Sequence, residues 1–106
     1  MHDMYYWIGR WEKGTFVAET EPEIVDLCRD DYAGVTFENA PQPTFIAWAS
    51  QWNYAIFLPT AQEGFRSQLT FARALSLVET ECGLKLAATP LGPIEPTFQV
   101  CQEGPF

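Results

Sequence analysis

Histidine is almost missing from this 106-residue chain, which carries only His2. A Ser-His-Asp or Cys-His nucleophilic site built from these residues alone would have to use that imidazole. A residue so close to a terminus is expected to be solvated and idle. Cysteine is sparse too. Cys28, Cys82 and Cys101 are odd in number and form no CxxC pair, which fits buried, reduced thiols in an intracellular protein. Neither zinc-type spacing nor the calcium-loop pattern occurs. No metal and no cofactor are therefore expected. The glycines at 9, 14, 34, 64 and 83 stand alone, as turns, bulges or caps and not as a phosphate cradle.

Positive charge is the next shortage: six basic residues face fourteen acidic ones, for a formal charge of −8. Nucleic-acid affinity rests on Lys and Arg neutralising phosphates, so direct nucleic-acid binding is not expected, and anionic membranes are equally unfavourable. No stretch approaches the eighteen or so apolar residues of a membrane helix. Asp3, Arg10, Glu12 and Lys13 interrupt the first fifteen residues, where a signal peptide would need an apolar core. A cytoplasmic location is expected. Apolar residues make up 47% of the chain and aromatics 15%, enough for one core and a single domain over 1–106.

Met4–Trp11 reads as an aromatic strand, and Glu12-Lys13-Gly14 as a turn into a return strand, Thr15–Glu19. Thr20-Glu21-Pro22-Glu23 matches a capping box, and Ile24, Val25, Leu27 and Cys28 follow helical spacing. A first helix over 21–30 is expected. Val35–Glu38 resembles a short strand. Residues 44–52 fit either a helix after Pro43 or the first arm of a hairpin; the helical stripe of Phe45, Ile46, Trp48, Ala49 and Trp52 favours helix. Tyr54–Leu58 reads as an apolar strand. A second capping box, Thr60-Ala61-Gln62-Glu63, precedes Phe65, Leu69, Ala72, Leu75, Val78 and Cys82 at spacings of three and four. A long helix over 61–82, closed by Gly83, is expected. Leu84–Ala88 and Thr97–Cys101 complete the strands. The fold class is thus α+β: a small mixed, mainly antiparallel sheet with two helices, or three if 44–52 is helical, packed on one face.

Carboxylates are the resource in excess. Glu19, Glu21, Glu23, Asp26, Asp30 and Asp31 fall within thirteen residues, with Arg29 the sole basic residue among them. A solvated helix face explains such a run most simply. Its functional alternative is a patch that docks on a basic surface. The tryptophans offer a second candidate: Trp7 and Trp11 share a strand face with Gly9 between them, an arrangement that suits core packing or an exposed interface. No catalytic residue stands out.

Three functions follow. The favoured one is a non-catalytic interaction or inhibitor protein that docks its acidic face on a basic partner, such as a nucleic-acid-binding protein. In composition alone the chain is similar to small phage inhibitors of nucleic-acid machinery, anti-CRISPR proteins among them. A small enzyme or metabolite-binding domain with an aromatic cleft is the second, and a homo-oligomeric structural subunit the third. The docking function requires coherent negative potential around the first helix, not acids neutralised by internal Arg or Lys contacts.

Overall fold

A computed structural model describes residues 3–92, 94 and 104. Among them the chain is mostly β, with one short α-helix, which corrects the α+β expectation. Eight strands form three antiparallel sheets. Strand β1 (Tyr5–Tyr6) pairs with β4 (Glu23–Ile24), and β2 (Gly9–Glu12) pairs with β3 (Thr15–Ala18). The largest sheet is a four-stranded meander in chain order: β5 (Tyr32–Thr36), β6 (Thr44–Trp48), β7 (Arg73–Thr80) and β8 (Gly83–Pro90).

The hairpin expected near residue 13 is present. Glu12 faces Thr15 across a two-residue loop, Lys13-Gly14, and both loop residues have positive φ. That geometry matches the right-handed twist of the flanking strands, and glycine at the second place carries no Cβ penalty. Gly9, between the two tryptophans, lies opposite Ala18, where a Cβ would overlap the Val17 carbonyl.

Both expected long helices are absent, for identifiable reasons. At Glu23–Ile24 the chain pairs with Tyr5–Tyr6 instead of coiling, and the Thr20 hydroxyl accepts from the Ile8 N–H rather than capping a helix. Asp26 then accepts the Cys28 N–H, and Asp31 sits at φ +60°. Asp side chains of this kind compete with helical hydrogen bonds. In the second case the capping box opens only a 3-10 turn, Pro59–Glu63, which Gly64 ends in the left-handed region. From Arg73 to Thr80 the chain is strand, paired residue for residue with β8. Val78 and Thr80 are β-branched and favour that pleated surface. The three-and-four spacing was accidental.

Residues 44–52 take the strand alternative and not the favoured helix. The only α-helix among the described residues, α1, is Trp52–Ala55, and it takes Tyr54 and Ala55 from the strand expected over 54–58. The late strand expected over 84–88 is part of β8, while the one over 97–101 lies outside the described residues.

Period-two alternation gives the four-stranded sheet two unlike faces. Phe45 and Ala47 are buried on one side. There the Phe45 ring lies so close to Gly34 that a Cβ would overlap it, and Met4 closes in from the small β1–β4 sheet. The opposite side carries Val35, Ile46 and Trp48, with Leu69 bridged to Trp48. Val35 and Leu69 are exposed. Cys28 and Cys82 are exposed free thiols rather than buried ones, because neither lies on a helix face.

Candidate functional site

The end of β6 and the turn behind it organise three groups of side chains. First, the loop 26–31 is held at several points. Buried Gln51, the residue before α1, donates from Nε2 to the Arg29 carbonyl at 2.8 Å and accepts from Asn53 at 2.8 Å. Tyr54, on α1, donates its hydroxyl to Asp30. That bond to a carboxylate, followed by desolvation, raises the phenol's pKa.

Second, Arg73, at the start of β7, reaches the same loop. Its guanidinium pairs with Asp31 and, at 3.3 Å, with Asp26, and it lies 5.1 Å over the centre of the Phe45 ring. Asp31 is 4% exposed. A carboxylate so buried would be very costly without an ionic partner. A cavity of about 380 Å³ lies against this pair, walled also by Cys28, Asp30, Ala49 and Phe71.

Third, Trp48 leaves β6 beside Tyr32 and Trp52. Ring centres are 6.5 Å apart to Tyr32 and 5.0 Å to Trp52, the latter edge to face. The Trp48 indole N–H donates to Ser67, which fixes the ring. Inclined to one another by 54° and 66°, these rings form an angled apolar wall with a polar edge at the Trp48 indole N–H.

The expected acidic patch is therefore not one patch. Glu19 pairs with Arg10; Glu23 pairs with Lys85 and accepts from Tyr6 at 2.9 Å. Asp26 and Asp31 pair with Arg73, and Asp30 bonds Tyr54. Only Glu21 stands apart, exposed in the chain before β4. The Lys85 hydrogen bond, with Tyr6 second, holds the Glu23 carboxyl below its usual range, and the same contact holds Lys85 above its own. Internal cations thus pair with four of the six carboxylates that the docking function required to be free. Trp7 and Trp11 are exposed; Trp11 meets Phe16 edge to face at 6.0 Å across the hairpin.

Arg73, Tyr32 and Tyr54 were missed as site residues because each draws its meaning from strands distant in sequence. The one available signal was alternation: Ala74, Ser76, Val78 and Thr80 interleave with Leu75, Leu77 and Glu79, marking 73–80 as a strand led by a lone arginine.

Residues 1–90 match the glycosyl hydrolases family 32 N-terminal domain, and the chain belongs to that family. Its four-stranded meander is a piece of the family's N-terminal β-propeller, whose blades have that form. The chain is similar to an extracellular exo-inulinase of Meyerozyma guilliermondii, 38% identical over 68% of this chain and 14% of that protein. It is similar as well to a levanbiose-producing levanase of Bacillus subtilis, 32% identical over 85% of this chain and 19% of that protein. Invertase 2 of Saccharomyces cerevisiae is 32% identical over 95% of this chain and 20% of that protein. The chain thus spans between a seventh and a fifth of the length of these relatives. Family membership overturns the favoured non-catalytic inhibitor and its basic protein partner.

Proposed function

We propose that this chain forms one wall of the saccharide-binding site in a hydrolase that cleaves fructans or sucrose. The family match over residues 1–90 carries this conclusion, and the Tyr32–Trp48–Trp52 cluster beside the anchored acidic loop supports it. Saccharides present C–H faces that rest on aromatic rings, and hydroxyls that bond to carboxylates and amides.

Glycoside hydrolysis ordinarily needs two carboxylates flanking the scissile bond, one of them kept protonated. Water adds to the anomeric carbon, and a proton passes to the departing alcohol oxygen. Asp26, Asp30 and Asp31 are committed to Arg73 and Tyr54, and Glu23 is held in its charged form by Lys85. These acids position the wall; the proton-transferring pair is assigned to other parts of the enzyme. Holding the sugar at a fixed angle is itself a catalytic contribution, since orientation lowers the barrier. The cytoplasm remains our proposed site of action, supported by the free Cys28 and Cys82 thiols, and fractionation of the native host checks it.

The test is release of reducing sugar from inulin, levan and sucrose by the full-length gene product, with starch as control. Release from at least one fructoside and none from starch is expected. Failure on all three fructosides overturns the proposal.

A further inference from the structure

We propose that Ser67 is a positioning residue for saccharide cleavage, holding the Trp48 ring at one angle through its indole N–H. This rests on the hydrolase reading above and names what keeps its aromatic wall in place. The first observation is the hydroxyl's own bonding. Ser67 Oγ donates to the Arg66 carbonyl at 2.6 Å and accepts from Trp48 Nε1. With its proton committed to the backbone, the hydroxyl turns only lone pairs to the indole. The second is the backbone. Ser67 has φ +58°, a left-handed conformation that few residues with a Cβ adopt and that clusters at functional sites. Its neighbours hold it there. Arg66 donates to the Ile56 carbonyl at the end of α1, the Ala49 N–H donates to the Gln68 carbonyl at 2.9 Å, and Leu69 bridges to Trp48. The bend 66–69 is thus fastened to both elements that carry the wall: β6 with Trp48, and α1 with Trp52.

Packing alone does not lock the ring. Trp48 is half-buried, and its neighbour Trp52 is 62% exposed. Ring contacts at 5.0 and 6.5 Å tolerate a rotation that a directional N–H···O bond does not. The same bond occupies the one polar group of the Trp48 side chain. A sugar therefore meets Trp48 through C–H contact with the ring and not through the indole N–H. Binding then depends on the ring's area, and turnover on its angle. A misaligned sugar still binds, but it is presented wrongly to the proton-transferring pair. Loss of the Ser67 hydroxyl is expected to lower kcat more than it raises KM.

Ser67→Gly in the full-length gene product tests this, since glycine accepts positive φ and the exchange removes the hydroxyl. The readouts are Tm, the Trp48 indole N–H resonance (assigned by its absence in Trp48→Phe) and steady-state kinetics on sucrose and inulin. Tm is expected to hold or rise, and the indole resonance to shift. kcat is expected to fall roughly threefold to tenfold, the value of a hydrogen bond, with KM within about twofold of the parent. Ser67→Asn tolerates the same backbone and offers an amide oxygen to the indole, so it is expected to recover part of the loss. A shifted indole resonance with kcat unchanged overturns the positioning role and leaves the wall standing. An unmoved indole resonance overturns the hydrogen bond, and a lowered Tm marks the hydroxyl as structural; either overturns the proposal. A loss in Ser67→Asn as large as in Ser67→Gly overturns it as well. Parent protein inactive on both sugars overturns the hydrolase reading and this proposal with it.

Discussion

Two clusters in this chain have the same composition and unlike surroundings. In the first hairpin, Arg10 meets Glu12 at 2.6 Å and also Glu19, with the Arg10 side chain 57% exposed. Under the four-stranded sheet, Arg73 meets Asp26 and Asp31 with its side chain 15% exposed. Each is one arginine between two carboxylates. Water screens the first, so its attraction nearly balances the entropy of ordering long side chains. The second has exchanged its water for partners, and removing one partner leaves a buried charge unmatched. Fold and site depend on the buried cluster, while the exposed one decorates a hairpin that its turn already specifies.

Asp31→Ala should show the largest effect. It leaves Arg73 beneath the sheet with only its longer contact to half-exposed Asp26 and is expected to cost about 3 kcal/mol, read as a shift of the urea midpoint at unchanged slope. A loss equal to that of an exposed pair would erase the distinction. Gly34→Ala probes the same buried side by shape instead of charge. Its Cβ would overlap the Phe45 ring that Arg73 covers, and overpacking of this kind costs about 1–3 kcal/mol.

An intermediate case is Glu23, which joins β4 to β8 through Lys85. Because its carboxyl is held below the usual carboxylate range, its stabilising effect is complete above that range and fades as pH falls through the lowered value. Thermal melts between pH 6 and pH 3 should lose part of their acid limb in Glu23→Gln. Lys85 has the opposite sign: its pKa is raised, so its contribution fades only as pH climbs through that raised value. The smallest change is expected for Arg10→Ala, within about 0.5 kcal/mol, by the same urea titration. A larger loss would show that the hairpin depends on its ion pairs.

The elements legible in the sequence were those whose cause is local. Lys13-Gly14 specifies its hairpin within four residues, and the apolar run after Gly83 was readable as a strand although Gly83, which turns the β7–β8 hairpin, read as a helix end. Caps and spacing misled wherever a distant strand competed for the backbone. Tyr5–Tyr6 claims Glu23–Ile24 from far along the chain, and β8 claims all of β7. The acidic run was visible as composition, but its dispersal among Arg10, Lys85, Tyr54 and Arg73 depends on which strands lie together. Of the aromatic wall, Trp48 and Trp52 were paired correctly as neighbours on the wrong grounds, a helix; a strand followed by a short helical turn brings them together.

Steady-state kinetics of Trp48→Ala and Trp48→Phe in the full-length gene product test the saccharide wall most directly. The ring stands between Tyr32, Trp52 and Ser67, so its loss is expected to lower kcat/KM on sucrose or inulin roughly tenfold or more, with phenylalanine restoring part of it. Unchanged kcat/KM in a folded Trp48→Ala protein would contradict the account, whatever the stability measurements show.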